Sequence, residues 1–456
     1  MVFSSLTFLC LFLPAFLIVY YAVPRLRTVT LVVFSLLFYA FGEPIWVLAL
    51  LFSGSVDYTH GLFIAKHPDS PKLRRAALVS SLVINLGLLA TFKYSGFIIE
   101  NINALLGTAI PAPGFSLPLG ISFYTFQTIS YTIDVYRGEV KPQRSFLAFL
   151  SYVTMFPQLV AGPIVRYADI EERLTRSRVT IEGFSRGVTR FAVGLGKKVL
   201  LANPAGEAAG VLFAGSKMTF LGSWLGMVFF AFQIYFDFSG YSDMAIGLGE
   251  MIGFEFKENF RYPYIADSVT DFWRRWHISL STFFRDYVYI PLGGNRRYQV
   301  RNIVVVWFLT GLWHGASWNF ILWGLYYGAV LLAEKYLLQS IISRAPAALR
   351  RVYSLFLILV GWAVFYFTDM ASLGAFFSAA FGGARLYDFR AESVFFSNIF
   401  LLAALIIAST PYPAKLAGKL RARLPAAEPV YNAALLILCF IMLVGQTYNP
   451  FLYFRF

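Results

Sequence analysis

The sequence predicts an all-α protein that crosses a membrane several times, and two observations carry this prediction. Of the 456 residues, 58% are hydrophobic and 14% are charged, whereas soluble domains carry about 25% charged residues. Several apolar runs reach the roughly 20 residues that a helix needs to span the hydrocarbon layer, as at 5–23, 352–368 and 430–448. Because lipid offers backbone amides no hydrogen-bond partner, each run is expected to form a helix.

The first apolar run, 5–23, lacks a basic leader and a small-residue cleavage site, so it is expected to remain as a helix rather than act as a signal peptide. Both cysteines, Cys10 and Cys439, lie within apolar runs. Neither a disulfide framework nor a metal site is therefore expected.

The formal net charge of +14 comes from basic residues in short loops between apolar runs. This pattern is typical of loops on the cytoplasmic side, and a polyanion-binding surface is the weaker interpretation. The loops predicted to face the cytoplasm are 24–27, 66–75, 176–190, 342–351 and 415–425. The loops predicted to lie outside are 42–44, 100–116 and 369–394. The N-terminus is then expected outside.

The apolar segment 146–165 has basic residues on both sides and is interrupted by Pro and Gly. The flanking residues are Arg137, Lys141, Arg144, Arg166, Arg173 and Arg176. The segment is therefore predicted to be re-entrant, and such backbone is tolerated only where protein or an aqueous cavity covers it. With no repeat or soluble module, residues 1–456 are expected to form a single membrane-embedded domain.

The apolar segment 229–249 contains polar residues at membrane depth, where ionisable groups are functional candidates. Gln233, Asp237 and Tyr241 follow one another at intervals of four residues and are predicted to share one helix face. That face is either a hydrogen-bonded seam between helices or the polar wall of a cavity.

The segment 267–297 is dense in charged and aromatic residues and is predicted to be an amphipathic helix at the cytoplasmic interface, ended by a turn at "PLGGNRR" (291–297). Helical spacing puts Arg274, Ser281 and Arg285 on one stripe. The other stripe contains Trp273, His277, Leu280 and Phe284. Asp271 can pair with Arg275. The segment either anchors the protein with indoles and guanidiniums at headgroup depth, or uses Arg274 and Arg285 to receive an anionic donor.

His314, one of four histidines, lies in the apolar stretch "TGLWHGASWNFILWG" at 310–324. Gly311 and Gly315 allow a helix or a substrate to approach its imidazole closely. Such a histidine either packs in the interior or, kept neutral by desolvation, acts as a base. Motifs for zinc proteases, P-loops and nucleophile elbows are missing, so metal hydrolysis and phosphoryl transfer are poor candidates.

Six motifs together resemble the membrane-bound O-acyltransferases, above all the branch that acetylates bacterial alginate. They are "LPLGISFYTFQTISYTIDVYRG" (117–138), "FPQLVAGPIVR" (156–166), "FDFSGYSDMAIGLG" (236–249), "FWRRWHISLSTFFRDYVYIPLGGNRR" (272–297), "LWHGASWNFILWG" (312–324) and "NPFLYFRF" (449–456). The resemblance implies roughly 11–13 transmembrane or re-entrant helices around a central tunnel. It also implies that His314 is the catalytic histidine and that His277 is a second catalytic residue.

The resemblance further implies a cytoplasmic acyl thioester donor, typically acetyl-CoA, with no bound cofactor. The protein would lie in the bacterial inner membrane, and a periplasmic esterase-like acetyltransferase partner and a polysaccharide acceptor would complete the reaction; no nucleic acid is expected. The expected substrate-binding residues are Trp313, Trp318, Asn319, Asp237, Arg274 and Arg285.

Other functions remain open at this stage. Within the family, the rival is transfer of D-alanine from a carrier-protein thioester to teichoic acid, and peptidoglycan is another possible acceptor for acetyl groups. Outside it, an anion or solute transporter would also use a re-entrant segment, central carboxylates and a basic mouth. A purely structural scaffold fits the buried polar residues poorly.

Overall fold

The computed structural model describes residues 1–160, 162–175, 179–214, 218–446, 448–449 and 451–452. Within these ranges the chain is helical and contains no strand, which confirms the all-α class. Arg176, Ala161 and most of the motif 449–456 lie outside the described residues.

The chain divides into two compact units. Unit 1 comprises Met1–Phe191 and Met244–Lys257, and unit 2 comprises Ala192–Asp243 and Glu258–Phe456. The first ten helices are α1 Leu13–Ala22, α2 Arg27–Ala40, α3 Val47–Lys66, α4 Pro71–Leu89, α5 Ser95–Leu106, α6 Ile121–Arg137, α7 Phe146–Thr154, α8 Phe156–Leu159, α9 Tyr167–Thr175 and α10 Ile181–Gly196. The others are α11 Asn203–Phe213, α12 Phe220–Met251, α13 Val269–Trp273, α14 Ile278–Phe284, α15 Gln299–His314, α16 Trp318–Ala333, α17 Gln339–Arg344, α18 Ala347–Tyr366, α19 Met370–Ala380, α20 Phe389–Ser397, α21 Ile399–Ala408, α22 Tyr412–Arg423 and α23 Ala427–Gly445.

Six helical segments in the described chain are long and apolar enough to cross a membrane, or up to eight if two bent pairs each count as one span. The six are Val47–Lys66, Pro71–Leu106, Phe220–Met251, Trp318–Arg344, Ala347–Tyr366 and Ala427–Gly445. The bent pairs are Phe8–Ala22 with Pro24–Ala40, at 109°, and Phe389–Ser397 with Ile399–Ala408, at 60°. The protein is therefore a multi-pass membrane protein, and shorter helices such as α6 are the candidates for the rest of the expected 11–13.

A buried carboxylate joins three helices of unit 1. The Asp57 side chain on α3 is fully buried and accepts hydrogen bonds from Asn85 on α4 (2.8 Å) and Thr132 on α6 (2.8 Å), as well as from the Ser81 hydroxyl. In lipid, such polar contacts hold helices together because an unsatisfied carboxylate there is costly.

The segment predicted to be re-entrant, 146–165, forms two short helices that meet at Met155. Pro157 lies in the first turn of α8, where its missing amide hydrogen costs no helical hydrogen bond. Residues 148–160 are buried throughout. The sequence predicts an interrupted backbone that is covered by protein, and the structure shows one. That the segment returns to the side of the membrane from which it enters stays a prediction.

The prediction of one continuous amphipathic helix before the turn at 291–297 is wrong. The chain there forms α13, a turn, α14 and a π-helical turn at Arg285–Tyr289. The backbone adopts a left-handed conformation at His277, directly before α14. The sides of the segment follow the predicted stripes, because Arg274, Ser281 and Arg285 are exposed while the other stripe is buried. Its two indoles, Trp273 and Trp276, are only 8% and 3% exposed. They therefore belong to the aromatic core of unit 2 and are covered by protein, so they are not exposed as anchors for headgroups.

Candidate active site

His314 is the last residue of α15, and an extended link at 315–317 separates it from α16. The apolar stretch that contains it is therefore two helices and not one. The imidazole is 7% exposed, and aromatic rings surround it edge to face. The ring centroids lie 4.8 Å from Trp323, 5.0 Å from Trp313 and 5.3 Å from Phe365. These contacts fix the ring plane in an apolar setting.

Glycines allow α15 and α16 to approach closely just before His314. A Cβ atom on Gly311 would overlap the carbonyl oxygen of Phe320, and one on Gly324 would overlap that of Trp307. A Cβ on Gly315 would overlap the Phe320 ring. The close approach that the sequence predicts around His314 is therefore a helix–helix contact, and it sets the position of the imidazole.

His314 borders a small cavity in unit 2 of about 20 Å³. Its lining residues are Ile234, Asp237, Phe238, Trp276, His314, Trp323, Trp362, Phe365 and Leu452. A cavity of this volume holds about one water-sized group. Most of the wall is aromatic or aliphatic, so His314 and Asp237 are the two lining side chains that can exchange a proton or carry a charge.

Asp237 on α12 is part of both structures that the sequence left open. Its Oδ1 lies 2.7 Å from the Lys198 ammonium, with both side chains about 3–4% exposed, and its Oδ2 accepts a 2.9 Å hydrogen bond from the Leu452 amide. One turn earlier, Gln233 donates to the hydroxyl of Tyr448 at 3.1 Å. The polar face of α12 is thus a seam to the C-terminal segment, and Asp237 also forms part of the cavity wall.

His277 lies between α13 and α14 with a backbone φ of 46°, a left-handed conformation that is uncommon for residues other than glycine. Its Nδ1 is 3.2 Å from Oδ1 of Asn259. That oxygen also accepts the backbone N–H of Ser279 at 3.1 Å. Because an acceptor faces Nδ1, Nδ1 carries the proton and Nε2 carries the lone pair.

The His277 ring supports the site from behind its wall. It lies 4.8 Å from the Phe238 ring, which borders the cavity, and 5.8 Å from the Trp313 ring, which contacts His314. His277 lies outside the candidate membrane spans, and its burial lowers its pKa to about 3. The imidazole is therefore neutral at physiological pH.

The carboxylate of Glu334, after α16, holds the start of α13. It accepts hydrogen bonds from the backbone amides of Val269 (2.7 Å) and Thr270 (2.8 Å) and from the Thr270 hydroxyl (2.6 Å). A carboxylate at a helix N-terminus satisfies amides that have no helical partner. Glu334 thereby fixes the short helix that carries Trp273 and leads to Trp276 and His277.

The other predicted site residues divide into buried and exposed ones. Trp313 is 4% exposed and lies between the two histidine rings. Asn319 is fully buried, and its amide donates to the carbonyls of Val364 and Phe365, each at 3.3 Å, so it supports a cavity wall. Trp318 is 54% exposed and is not among the residues that line the cavity.

Arg274 and Arg285 lie on the surface of unit 2 and do not line the cavity. The Arg285 guanidinium pairs with the neighbouring Asp286 at 2.7 Å. The structure thus brings His314 and Asp237 to one cavity, puts His277, Trp313 and Asn319 behind its wall, and leaves Trp318 and both arginines exposed.

The sequence patterns did not identify several residues of the site. They are Lys198, Asn259, Trp276, Trp323, Trp362, Phe365 and Leu452. Lys198 had a usable signal, because a lysine within an apolar helix needs a carboxylate partner. The aromatic residues had none, since the apolar runs are rich in Phe, Trp and Tyr throughout.

Comparisons with known proteins agree with the family resemblance of the six sequence motifs. A model of the MBOAT, membrane-bound O-acyltransferase, family matches residues 137–377. The chain is 42% identical over 421 residues to the probable alginate O-acetylase AlgI of Azotobacter vinelandii, covering 90% of this chain and 84% of that protein. It is 34% identical to the peptidoglycan O-acetyltransferase of Helicobacter pylori, over 74% of this chain and 70% of that protein. It is 30% identical to the teichoic acid D-alanyltransferase of Bacillus subtilis, over 47% of this chain and 58% of that protein.

Proposed function

Since the chain belongs to the membrane-bound O-acyltransferase family, it is a multi-pass membrane O-acyltransferase, and we propose that acetyl is the group it transfers. The donor is a cytoplasmic thioester, acetyl-CoA, and the acceptor is an extracytoplasmic polysaccharide such as alginate. Transfer takes place across the bacterial inner membrane, and a periplasmic esterase-like acetyltransferase completes it. The chain needs no bound cofactor and no nucleic acid for this reaction.

The observation that carries this proposal is the pairing of His314 with a very small apolar cavity. A cavity of about 20 Å³ holds about one water-sized group, so it has no room for a long acyl chain and favours a short one such as acetyl. The similarity to an alginate O-acetylase and to a peptidoglycan O-acetyltransferase points to the same donor group. The alginate relative is the more similar of the two, which favours a polysaccharide acceptor.

In the proposed mechanism, a ring nitrogen of neutral His314 removes the proton from an acceptor hydroxyl. The hydroxyl oxygen attacks the thioester carbonyl, a tetrahedral intermediate forms, and the C–S bond breaks as the carbonyl reforms. The imidazolium then returns the proton to the departing thiolate, so His314 ends neutral. General-base assistance of this kind typically contributes about 100- to 10,000-fold in rate.

His277 acts in this proposal as a positioning residue. Its ring supports Phe238 and Trp313, and these rings in turn contact the cavity and His314. Asp237 shapes the cavity through Leu452, and Trp313 and Asn319 support the wall. The exposed guanidiniums of Arg274 and Arg285 receive the phosphate groups of the donor, because guanidinium pairs well with phosphate.

The first prediction concerns His314. Purified His314→Ala and His314→Gln, reconstituted in vesicles with labelled acetyl-CoA and an acceptor, should lose about 100-fold or more of the acetyl transfer rate, because neither side chain can take a proton. His67→Gln is the matched control, since His67 directly follows α3 in unit 1 and its Nδ1 contacts only the local carbonyl of Phe63 in the described chain. Near wild-type transfer by both His314 variants would reject the base role.

Transfer of D-alanine to teichoic acid is the second candidate, and the similarity to the Bacillus subtilis D-alanyltransferase favours it. That similarity covers about half of this chain, against 90% for the alginate relative. Supplying the wild-type protein with labelled acetyl-CoA or with a D-alanyl carrier-protein thioester separates the two. If label reaches an envelope polymer only from the D-alanyl donor, the transferred group is D-alanine and the proposal of acetyl transfer is wrong.

A further inference from the structure

Helix α22, Tyr412–Arg423, is a short helix in unit 2 without a single buried residue. It follows α21 after three residues, and α23 begins at Ala427 shortly beyond it. Both neighbours belong to segments apolar enough to cross a membrane. The chain therefore leaves one apolar segment, forms α22, and enters the next, so that α22 lies at the level of the membrane surface.

The two long sides of α22 differ in chemistry. Leu416 and Leu420, one turn apart on the helix, and Leu424, the residue directly after its end, form an apolar stripe. They are 70%, 54% and 56% exposed, so the described protein does not cover this stripe. A stripe of three leucines exposed to water would be unfavourable, whereas the same stripe inserted at the acyl–headgroup boundary is stable.

A second stripe on α22 is basic. Lys415, Lys419 and Arg423 also follow at intervals of four residues and point about 100° away from the leucines. In the part of the chain that the structure describes, none of these three cations has a carboxylate within ion-pair distance; the fourth cation of the helix, Arg421, pairs with Glu428 of α23 at 3.0 Å. Three cations without a carboxylate, beside an apolar stripe, complement a surface of anionic headgroups.

We propose that α22 binds anionic phospholipid headgroups, with its leucine stripe inserted into the membrane interface and its Lys415, Lys419 and Arg423 stripe on the lipid phosphates. Acidic proteins would be attracted by the same charges, but they would leave the leucines exposed. The proposal concerns a surface remote in sequence from His314 and does not depend on which acyl group the enzyme transfers.

Hydrogen–deuterium exchange of the full-length protein tests the proposal. The protein is reconstituted in phosphatidylcholine vesicles with and without phosphatidylglycerol, and exchange is followed in peptides covering 412–424. A helix of 12 residues without packing is marginal in water, so contact with the membrane should slow its exchange. We expect at least about fivefold slower exchange with phosphatidylglycerol, the factor that one basic residue supplies at an anionic surface.

The triple variant Lys415→Gln, Lys419→Gln and Arg423→Gln should lose this phosphatidylglycerol-dependent slowing. The matched control removes three exposed charges elsewhere, through Lys66→Gln, Lys72→Gln and Arg75→Gln, and should keep the slowing in 412–424. Equal exchange in both lipids, or unchanged slowing in the triple variant, would overturn the proposal. Slowing that appears only when an acidic soluble protein is added would overturn it as well.

Discussion

The carboxylate of Asp237 contacts a lysine, a backbone amide and the cavity at once, which makes it the most informative single residue to change. Its partners Lys198 and Leu452 come from segments more than 200 residues apart in the chain. The contact with the Leu452 amide keeps one aliphatic side chain in the wall beside His314. Changes at Asp237 should therefore affect both the stability of unit 2 and the shape of the cavity.

The second prediction is that Asp237→Asn destabilises the protein by about 3–5 kcal/mol, because the Lys198 ammonium is left buried without its counter-charge. Adding Lys198→Met should recover much of this loss, since no buried charge then remains. Thermal unfolding of the purified wild type, Asp237→Asn and the double variant in one detergent measures both effects. A double variant as unstable as Asp237→Asn would show that the ion pair does not explain the loss.

The third prediction separates the backbone of His277 from its ring. His277→Ala keeps the left-handed conformation at a cost of about 1–3 kcal/mol, whereas His277→Gly adopts it without strain. His277→Gly should therefore unfold at the higher temperature of the two. Both variants should transfer acetyl slowly, because both lack the ring that supports Phe238 and Trp313. If His277→Gly transfers acetyl at close to the wild-type rate, the His277 ring is not a positioning residue.

At the residue scale, the sequence identifies the chemistry but not its surroundings. A histidine at membrane depth is a candidate wherever it occurs, so His314 is predictable from its own neighbours in the chain. The pairing of His277 with Asn259 is not, because the tautomer depends on an acceptor that lies 18 residues earlier in the chain, before α13. Leu452 lies in the motif 449–456, but its aliphatic side chain does not itself indicate a place in the cavity wall.

At the scale of helices, α15 and α16 depend on glycine for their close packing, and this packing sets the position of His314. The apolar character of 310–324 does not by itself reveal that two helices meet at 315–317. Likewise, the stripes of 267–297 predict which side chains are buried, but they do not predict the left-handed backbone at His277 that separates α13 from α14. Periodicity identifies the buried side of a segment and does not detect a left-handed residue within it.

The fourth prediction is that Gly311→Ala destabilises the protein by about 1–3 kcal/mol, because the added methyl group overlaps the Phe320 carbonyl and pushes the helices apart. Acetyl transfer should fall by about 100-fold if His314 moves by 1 Å. Gly374→Ala on α19 is the control, since a Cβ there meets no atom within 4 Å and alanine favours a helix by about 1 kcal/mol. If Gly311→Ala has the unfolding temperature and the transfer rate of the wild type, tight packing of α15 and α16 does not determine the position of His314.

At the scale of the whole molecule, composition is enough to predict an all-α membrane protein, because lipid permits few alternatives to the helix. The cavity is not predictable in this way. Its wall combines side chains from Ile234 to Leu452, and these meet only when the helices of unit 2 are packed. Local patterns carry no information about such distant pairs, whereas family motifs indicate which histidines to examine.

The fifth prediction concerns the orientation of the chain, which follows from its basic loops. In a background with Cys10 and Cys439 replaced, a cysteine at Arg75 or at Arg344 should react with an impermeant thiol reagent only from the cytoplasmic side. A cysteine at Ala112, in a loop poor in basic residues, should react only from outside. Labelling of Arg75→Cys and Ala112→Cys from the same side would contradict the predicted orientation.

The narrow cavity beside His314 also bears on what the enzyme must avoid. A thioester is prone to hydrolysis, and the same base that activates an alcohol could activate water. The cavity holds about one water-sized group, so an acceptor hydroxyl placed beside His314 occupies the space from which a water molecule would attack. In the proposed reaction, the acceptor itself therefore suppresses futile cleavage of the thioester.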